Sequence, residues 1–290
     1  MSGMAQPGTS EHTVCYRHPR VETAVSCSDC GRFICPDCMV FGPVGIRCPD
    51  CSGRPAGAKK TVQRVRAAGE RAPLGLVTTV LLVVNVAVYV AEVGTGGDWQ
   101  TLSGRVYEQG ALYGPLVAAG DWWRLITAAF LHAGPIHLLF NMLALWWFGR
   151  SLETLLGPAR YVGLYVASAL AGSAGALLLT PLQPTVGASG AVFGILGAGL
   201  VLERNRVYVF GGSALAIVVI NLILTFTISS ISIGGHLGGL AGGMAGMLAL
   251  MRFGRGRPAL SREGLAGLAA LAGIAVLAVA IAYVRVRGLA

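Results

Sequence analysis

Charged residues are scarce in this chain. Only 12% of its 290 residues are charged, against about 25% in an average soluble domain, while 54% are hydrophobic. A soluble protein of this composition would expose too much apolar surface to water. Its 42 glycines lie mostly inside apolar stretches, as in membrane proteins whose helices pack closely. The composition predicts an all-α polytopic membrane protein.

The net charge of +9 does not indicate a nucleic-acid partner, because no basic and aromatic surface is laid out for one. The basic residues instead flank apolar runs: Lys59, Lys60, Arg64, Arg66, Arg71, Arg150, Arg160, Arg204, Arg206, Arg252, Arg255, Arg257 and Arg262. Basic residues concentrate in cytoplasmic loops. Residues 1–14 also lack the apolar core of a signal peptide. We therefore expect a multi-pass protein of the plasma membrane with a cytoplasmic N-terminus.

Seven apolar runs follow residue 72, and each is expected to form a transmembrane helix. They lie near 73–91, 135–153, 161–180, 187–202, 207–227, 233–251 and 264–284. A helix needs about 20 residues to cross a bilayer core of ~30 Å, so the fourth run is short. Arg285 and Arg287 would lie outside the cell after the seventh run, which makes that run the weakest fit to the charge pattern. The long segment 92–134 is rich in Trp and Tyr and is expected at the membrane interface.

No cysteine occurs outside residues 15–51, where all seven are found. With one histidine they form four pairs separated by two residues: Cys15 and His18, Cys27 and Cys30, Cys35 and Cys38, Cys48 and Cys51. This spacing is typical of structural zinc sites. Alternating pairs would share an ion, so the first and third pairs would bind one Zn and the second and fourth another. Disulfides are the alternative, but they are disfavoured in the cytoplasm and would leave one cysteine over. His12 is the rival to His18, without a cysteine partner at matching spacing.

Strongly polar residues inside apolar runs indicate a functional site. Ser189 lies in Gly187-Ala188-Ser189-Gly190, at the outer start of the fourth run, and His236 lies near the outer end of the sixth. If the glycine faces of these two helices pack together, the histidine can take the proton of the serine hydroxyl. His137 and Asn141 share one face of the second run and can donate hydrogen bonds to an oxyanion. Each feature alone also fits a packed core histidine or a helix cap.

Taken together, these motifs resemble the rhomboid protease family. The matching elements are Trp123-Arg124; His132, His137 and Asn141; Gly187-Ala188-Ser189-Gly190; and His236, Gly239 and Gly243. The resemblance covers about 73–253. The cysteine-rich module is similar to B-box-type zinc fingers, which bind other proteins. This gives four regions: a zinc module at 12–53, a basic linker at 54–72, a six-helix rhomboid core at 73–253, and a loop with a seventh transmembrane helix at 254–290.

The resemblance implies an intramembrane serine endopeptidase that cleaves the transmembrane segments of protein substrates. Ser189 would be the nucleophile and His236 its base, with His137 and Asn141 lining the oxyanion hole. Phe193 stands where relatives often have a tyrosine that stacks on the catalytic histidine, so a hydrogen bond is lost there. Arg124 and Glu153 match structural positions of the family. Two structural Zn ions, no cofactor for catalysis, and a cytoplasmic protein partner for the zinc module are expected.

Two other classes of membrane protein compete with the protease. A non-catalytic relative would bind membrane clients without cutting them, but such relatives usually lack the serine or the histidine. A transporter would need polar groups near the middle of the bilayer and often internal repeats. The polar residues here cluster toward the outer face instead, which favours the protease. Residues 228–235, at the end of the fifth run, are the expected gate for substrate.

Overall fold

The computed structural model describes residues 14–41, 46–52, 75–96, 103–253 and 262–289. They form two compact units, which divide near residue 64. The predicted linker at 54–72 lies outside the described residues, and so do His12 and the loop at 254–261. The two units are described separately below.

The cysteine-rich module contains two small antiparallel sheets. Strand β1 (Val14–Cys15) pairs with β2 (His18–Glu22), and β3 (Val40–Phe41) pairs with β4 (Ile46–Arg47). A 3-10 turn at Pro36–Cys38 lies between them. The buried core consists of Ile34 and five cysteines: Cys15, Cys27, Cys35, Cys38 and Cys48. So small an apolar core needs cross-links to stay folded.

The second unit is helical in every one of the seven apolar runs. Its helices are α1 (Leu76–Gly94), α2 (Arg105–Gly110), α3 (Gly114–Ala118), α4 (Arg124–Thr127), α5 (Pro135–Leu156), α6 (Pro158–Leu179), α7 (Ser189–Arg204), α8 (Ala214–Thr227), α9 (Ile233–Phe253) and α10 (Arg262–Val286). A 3-10 turn, Ala128–Phe130, extends α4. A π-helical turn at Leu145–Gly149 interrupts α5.

Four helices in the described part of the chain are long and apolar enough to cross a bilayer alone: α1, α6, α9 and α10. Helix α5 qualifies as a fifth only together with Arg124–Phe130, from which it is bent by 93°. Helices α7 and α8 have 16 and 14 residues, so they are about 24 and 21 Å long. The protein is thus a multi-pass helical membrane protein, and seven full crossings stay a prediction.

Helix α8 begins later than the sequence predicts. We expected the fifth span to start near 207, but the helix starts at Ala214. The preceding residues form a turn in which Gly211 and Gly212 have φ angles of 71° and 88°. These positive φ angles favour glycine and are incompatible with a continuous α-helix through this turn. The ring of Phe210 fills the space beside Gly199 of α7. The packing of Phe210 on α7 and the turn at Gly211 and Gly212 therefore explain why this helix begins only at Ala214.

Helices α6, α7 and α9 form the centre of the bundle and approach each other through glycines. A Cβ atom on Gly239 of α9 would collide with the carbonyl oxygen of Gly190 in α7, and one on Gly243 with that of Gly194. On the other side of α9, Gly234 and Gly175 of α6 are in similar backbone contact. Small residues permit such close crossings in membranes. The expected packing of the fourth and sixth spans is therefore present.

The seventh predicted span, α10, belongs to the same bundle. Its Ala278, Ala282 and Val286 are buried in a cluster with Leu177 of α6 and Leu112. The other core cluster, which contains residues of α5 and α7, also includes Leu271 of α10. Helix α10 therefore supports α6 and the segment that precedes α4.

Two buried charged side chains tie segments of the bundle together. The carboxylate of Glu153 in α5 accepts hydrogen bonds from the backbone N–H groups of Val77 and Thr78, at 3.0 and 2.8 Å, and so caps the start of α1. Arg124 pairs with Asp121 at 2.9 Å and donates to the carbonyl of Ala111 at 2.9 Å. Both side chains therefore have the structural role that their sequence positions suggest.

Candidate functional site

Ser189 is the first residue of α7 and follows a turn that only glycine can make. Gly187 has a φ of 128°, and its N–H donates to the carbonyl of Ala128 at 2.8 Å. A Cβ atom on Gly187 would lie 2.7 Å from Cε1 of His137 and 3.5 Å from Oγ of Ser189. The serine hydroxyl and the His137 ring therefore both border the space beside this glycine.

The tautomer of His137 follows from its hydrogen bond. Its Nδ1 accepts the backbone N–H of Ala133 at 3.3 Å, so the ring is neutral and carries its proton on Nε2. Nε2 is 2.8 Å from the Cβ position of Gly187. This side chain thus presents an N–H donor on the side where Ser189 lies.

Asn141 lies one turn after His137 and is only 6% exposed. Its Nδ2 donates to the carbonyl of His137 at 3.0 Å. A primary amide has two N–H groups, and this bond uses one of them. Asn141 is thus held against its own helix, on the face that the sequence predicted.

His132 packs beside His137, with 5.2 Å between ring centroids. Its backbone N–H donates to Oε2 of Glu92 in α1 at 3.1 Å. Both ring nitrogens are buried without a hydrogen-bond partner among the described residues. His132 therefore fixes the turn before α5, and its ring packs against His137.

His236 lies in the first turn of α9, with 8% of its surface exposed. The ring of Phe193, one turn into α7, stacks on it at a centroid distance of 4.0 Å and an angle of 22°. The stacking expected for Phe193 is thus present. Ser189 lies one helical turn before Phe193 in α7. Gly190, the residue after Ser189, contacts Gly239 of α9 through its carbonyl group. The fold therefore gathers Ser189, His137 and His236 at one end of the α7–α9 crossing.

The sequence reading overlooked Thr225 of α8. Its Oγ1 lies 2.7 Å from Nδ1 of His236, and the contact is buried. A threonine in an apolar helix commonly bonds to its own backbone, and Thr225 also does so, to Asn221 at 2.7 Å. The sequence feature that could have identified Thr225 is its spacing from Asn221. These two polar residues share one face of an otherwise apolar helix.

A small cavity of about 30 Å³ borders Ser189. Its lining includes the hydroxyl-bearing residues Ser173, Thr185 and Ser232. A cavity of this size and polarity can hold a water molecule. The neighbourhood of Ser189 is thus suited to contain water inside a largely apolar bundle.

The cysteine-rich module brings its eight candidate ligands together in two groups. Cys15, His18, Cys35 and Cys38 form one cluster, and Cys27, Cys30, Cys48 and Cys51 form the other. Within each cluster the ligand atoms lie within 4.8 Å of one another. These are the two alternating sets that the sequence predicted, and each can hold a metal ion.

The distances in the first cluster match tetrahedral coordination. Nδ1 of His18 lies 3.8, 3.2 and 3.4 Å from the sulfurs of Cys15, Cys35 and Cys38. Ligands on a tetrahedral zinc ion are about 3.5 to 3.8 Å apart, given Zn–N and Zn–S bonds of about 2.0 and 2.3 Å. The donor set fits Zn, with Nδ1 of His18 as the nitrogen ligand.

The second cluster is surrounded by hydrogen-bond donors that favour thiolates. The Cys48 N–H donates to Cys27 at 3.1 Å. Burial raises the pKa of the Cys27 thiol, but backbone N–H groups outweigh it and bring the pKa to about 6. Arg32 lies 3.3 Å from Cys30 and 3.8 Å from Cys48, and its hydrogen bond lowers the pKa of Cys30. Arg32 also pairs with Asp50 at 3.1 Å.

Comparison with known proteins agrees with this architecture. Residues 119–253 match the family model of the rhomboid domain. The chain is 41% identical over 133 residues to "Rhomboid protease GluP" of Bacillus subtilis (strain 168), which covers 44% of this chain and 26% of that protein. It is 38% identical over 122 residues to "RHOMBOID-like protein 5" of Arabidopsis thaliana, covering 41% and 40%. Over 143 residues it is 36% identical to "Rhomboid-like protease 1" of Toxoplasma gondii, covering 44% and 47%.

The matches thus span between about a quarter and a half of the length of these relatives. The matched model includes α4 to α9 and, with them, all four residues predicted to act in catalysis. The chain therefore carries a rhomboid domain at residues 119–253.

Proposed function

We propose that this protein is an intramembrane serine endopeptidase that cleaves transmembrane segments of membrane proteins. The observation that carries the proposal is the convergence of Ser189, His137 and His236 around Gly187 and Phe193. A hydroxyl needs a neighbouring base to become a nucleophile, and an imidazole is suited to that task. The domain match supports the proposal, and so do the names of two relatives, which are called proteases.

In the proposed reaction, Oγ of Ser189 attacks the carbonyl carbon of the scissile peptide bond. Its proton passes to Nε2 of His236, and a tetrahedral intermediate with a negatively charged oxygen forms. The C–N bond then breaks, and the departing amine takes the proton from His236. Water attacks the resulting acyl ester, again with His236 as the base, and releases the second product and Ser189.

The oxyanion is stabilised by donors that are already in position. Nε2–H of His137 lies 2.8 Å from the Cβ position of Gly187, which is itself 3.5 Å from Oγ of Ser189. The backbone N–H of Ser189 has no intrahelical acceptor, since it opens a helix. The side-chain amide of Asn141 donates one N–H to the carbonyl of His137, and its second N–H can donate to the oxyanion. Donors that need not reorganise are the main source of such stabilisation.

The substrate is a membrane helix that must unwind locally before cleavage. Its backbone amides are hydrogen-bonded within the helix and shielded by lipid, so small or helix-weakening residues near the cut favour cleavage. Residues 228–235 form the gate in this proposal, and the structure divides them between the connection at 228–232 and the first three residues of α9. The water-sized cavity beside Ser189 would hold the water molecule that attacks the acyl ester in the second step.

The cysteine-rich module acts as a cytoplasmic docking or regulatory unit in this proposal. Its two clusters fit structural zinc, which would cross-link the module and leave no open coordination position for catalysis. The N-terminus would be cytoplasmic and the chain would reside in the plasma membrane, because basic residues flank the predicted inner loops.

Purified protein in liposomes, supplied with a single-span model substrate, tests the proposal. Ser189→Ala and His236→Ala should each abolish cleavage. Ser151→Ala is the matched control, because among the described residues the Ser151 hydroxyl bonds only within its own helix, to Trp147 at 3.2 Å. Full activity of the Ser189→Ala protein would refute the assignment.

A further inference from the structure

Thr225 contacts His236 from a helix other than the one that carries Ser189. The threonine is 1% exposed and lies in the last turn of α8, while Ser189 and Phe193 belong to α7. Nδ1 of His236 faces Thr225 at 2.7 Å. The other ring nitrogen, Nε2, is therefore the one that remains for Ser189.

The direction of the Thr225–His236 hydrogen bond follows from the number of hydrogens present. A carbonyl oxygen can only accept, so at 2.7 Å the Thr225 hydroxyl must donate its single hydrogen to Asn221. With that hydrogen used, Oγ1 can only accept from the imidazole. Nδ1 of His236 therefore carries a proton, and in the neutral ring Nε2 has a free lone pair.

We propose that Thr225 is a positioning residue that fixes His236 in the Nδ1–H tautomer and in the orientation that serves Ser189. The inference rests on the proposed protease function and deepens it. Phe193 restrains the tilt of the ring by stacking but has no hydrogen-bonding group, so it cannot select a tautomer. Thr225 supplies that selection, in the manner of the acidic residue of a catalytic triad but without a charge.

The position of Thr225 links the base to the helix that borders the proposed gate. Near its inner end, α8 is held by Glu203 of α7, whose carboxylate accepts the N–H groups of Gly212 and Ala214 at 3.1 and 2.9 Å. At the outer end, Thr225 holds His236 of α9. A displacement of this outer end would therefore release Nδ1 of the base.

Kinetics test the proposal with three variants in liposomes. Thr225→Val keeps the shape of the side chain and removes the hydroxyl, so kcat should fall about tenfold or more, with KM little changed. Thr225→Ser keeps a hydroxyl and should recover most of the activity. Thr227→Val is the matched control, since the Thr227 hydroxyl bonds only within α8 in the part of the chain that the structure describes, to Ile223 at 2.9 Å and Leu224 at 3.3 Å.

Nitrogen NMR of histidine-labelled protein separates positioning from a purely structural role. It is recorded on the inactive Ser189→Ala protein, with the His236 signals assigned by their loss in His236→Gln. Nδ1 should be the protonated nitrogen, and Thr225→Val should add or enlarge the Nε2–H signal. An unchanged tautomer together with an unchanged kcat in Thr225→Val would overturn the proposal.

The two readouts also distinguish this inference from the protease assignment. If the wild-type protein cleaved no membrane substrate, the proposed function would fail. The tautomer experiment would still give an answer, because it uses a protein without the nucleophile. A shift of the proton in Thr225→Val would then uphold the role of Thr225 toward His236.

Discussion

The ring of Phe193 lies nearly parallel on the ring of His236, with 4.0 Å between the centroids. The stacking residue belongs to the helix that Ser189 opens, while the histidine belongs to α9. The pair therefore couples the tilt of the proposed base to the helix that carries the proposed nucleophile. Four predictions follow from this and other contacts.

Replacing Phe193 by leucine should lower kcat by up to about tenfold, because stacked rings contribute about 0.5–1.5 kcal/mol. Phe193→Tyr keeps the ring and should retain activity. Phe148→Leu is a control, since it removes an aromatic pair with Phe210 of similar spacing, 4.9 Å, that involves no histidine. Steady-state cleavage rates in liposomes decide between these outcomes. Equal rates for all three variants would mean that stacking does not orient His236.

Gly239→Ala should destabilise the membrane unit by about 1–3 kcal/mol, because a methyl group there meets the Gly190 carbonyl. The matched control is Gly273→Ala in α10, where a Cβ atom has nothing within 4 Å. Alanine is the better helix former, so that variant should be neutral or slightly more stable. Thermal unfolding in detergent measures both. The α7–α9 contact would be looser than described if Gly239→Ala unfolded at the wild-type temperature.

The intact protein should bind two metal ions per chain, one at each cluster. Cys35→Ser should lose the first ion and Cys48→Ser the second, so each variant serves as a control for the other. Removing both ions with a chelator should unfold the module, whose core is made mainly of cysteines, while cleavage of a model substrate continues. Elemental analysis measures the number of bound metal ions, and amide hydrogen exchange measures the unfolding of the module. Cessation of cleavage in a membrane unit that is still folded would contradict a metal-free reaction.

Arg32→Ala should make the second cluster release its ion at a higher pH than the wild type. The Arg32 guanidinium lowers the pKa of Cys30, so its removal raises that pKa, and protons then displace the metal earlier as the pH falls. The first cluster should be unaffected. Acid titration followed by metal release measures the midpoints, with Arg20→Ala on exposed β2 as the control. A midpoint that moves to lower pH would reverse the proposed effect of Arg32.

The sequence identified the groups whose chemistry is unusual for their surroundings. A serine between glycines, and a histidine in an apolar run, are expensive unless they have a function, and the structure brings both to the α7–α9 crossing. The paired cysteine spacing likewise predicted which ligands share a cluster. It also favoured His18 over His12, and His18 lies within the first cluster.

The sequence could not identify partners that come from other helices. The bond of Thr225 to His236 depends on how closely α8 approaches α9, which no local pattern encodes. The start of α8 depends on Glu203, which lies in α7 and accepts the N–H groups of Gly212 and Ala214. Hydropathy alone extends that run to residue 207, because the Val and Phe residues before the turn are as apolar as the helix itself.

The glycine contacts between α7 and α9 make the main chain, and not the side chains, the spacer between the two helices. Main-chain atoms in contact cannot be compressed and have no rotamers to exchange, so bilayer thickness and lateral pressure have little to act on there. Helix α8 has only 14 residues and exposes apolar side chains. Bilayer thickness and lateral pressure can therefore displace α8 more easily than the α7–α9 contact. A change of lipid should therefore alter how readily substrate enters while leaving the crossing that carries Ser189 and His236 unchanged.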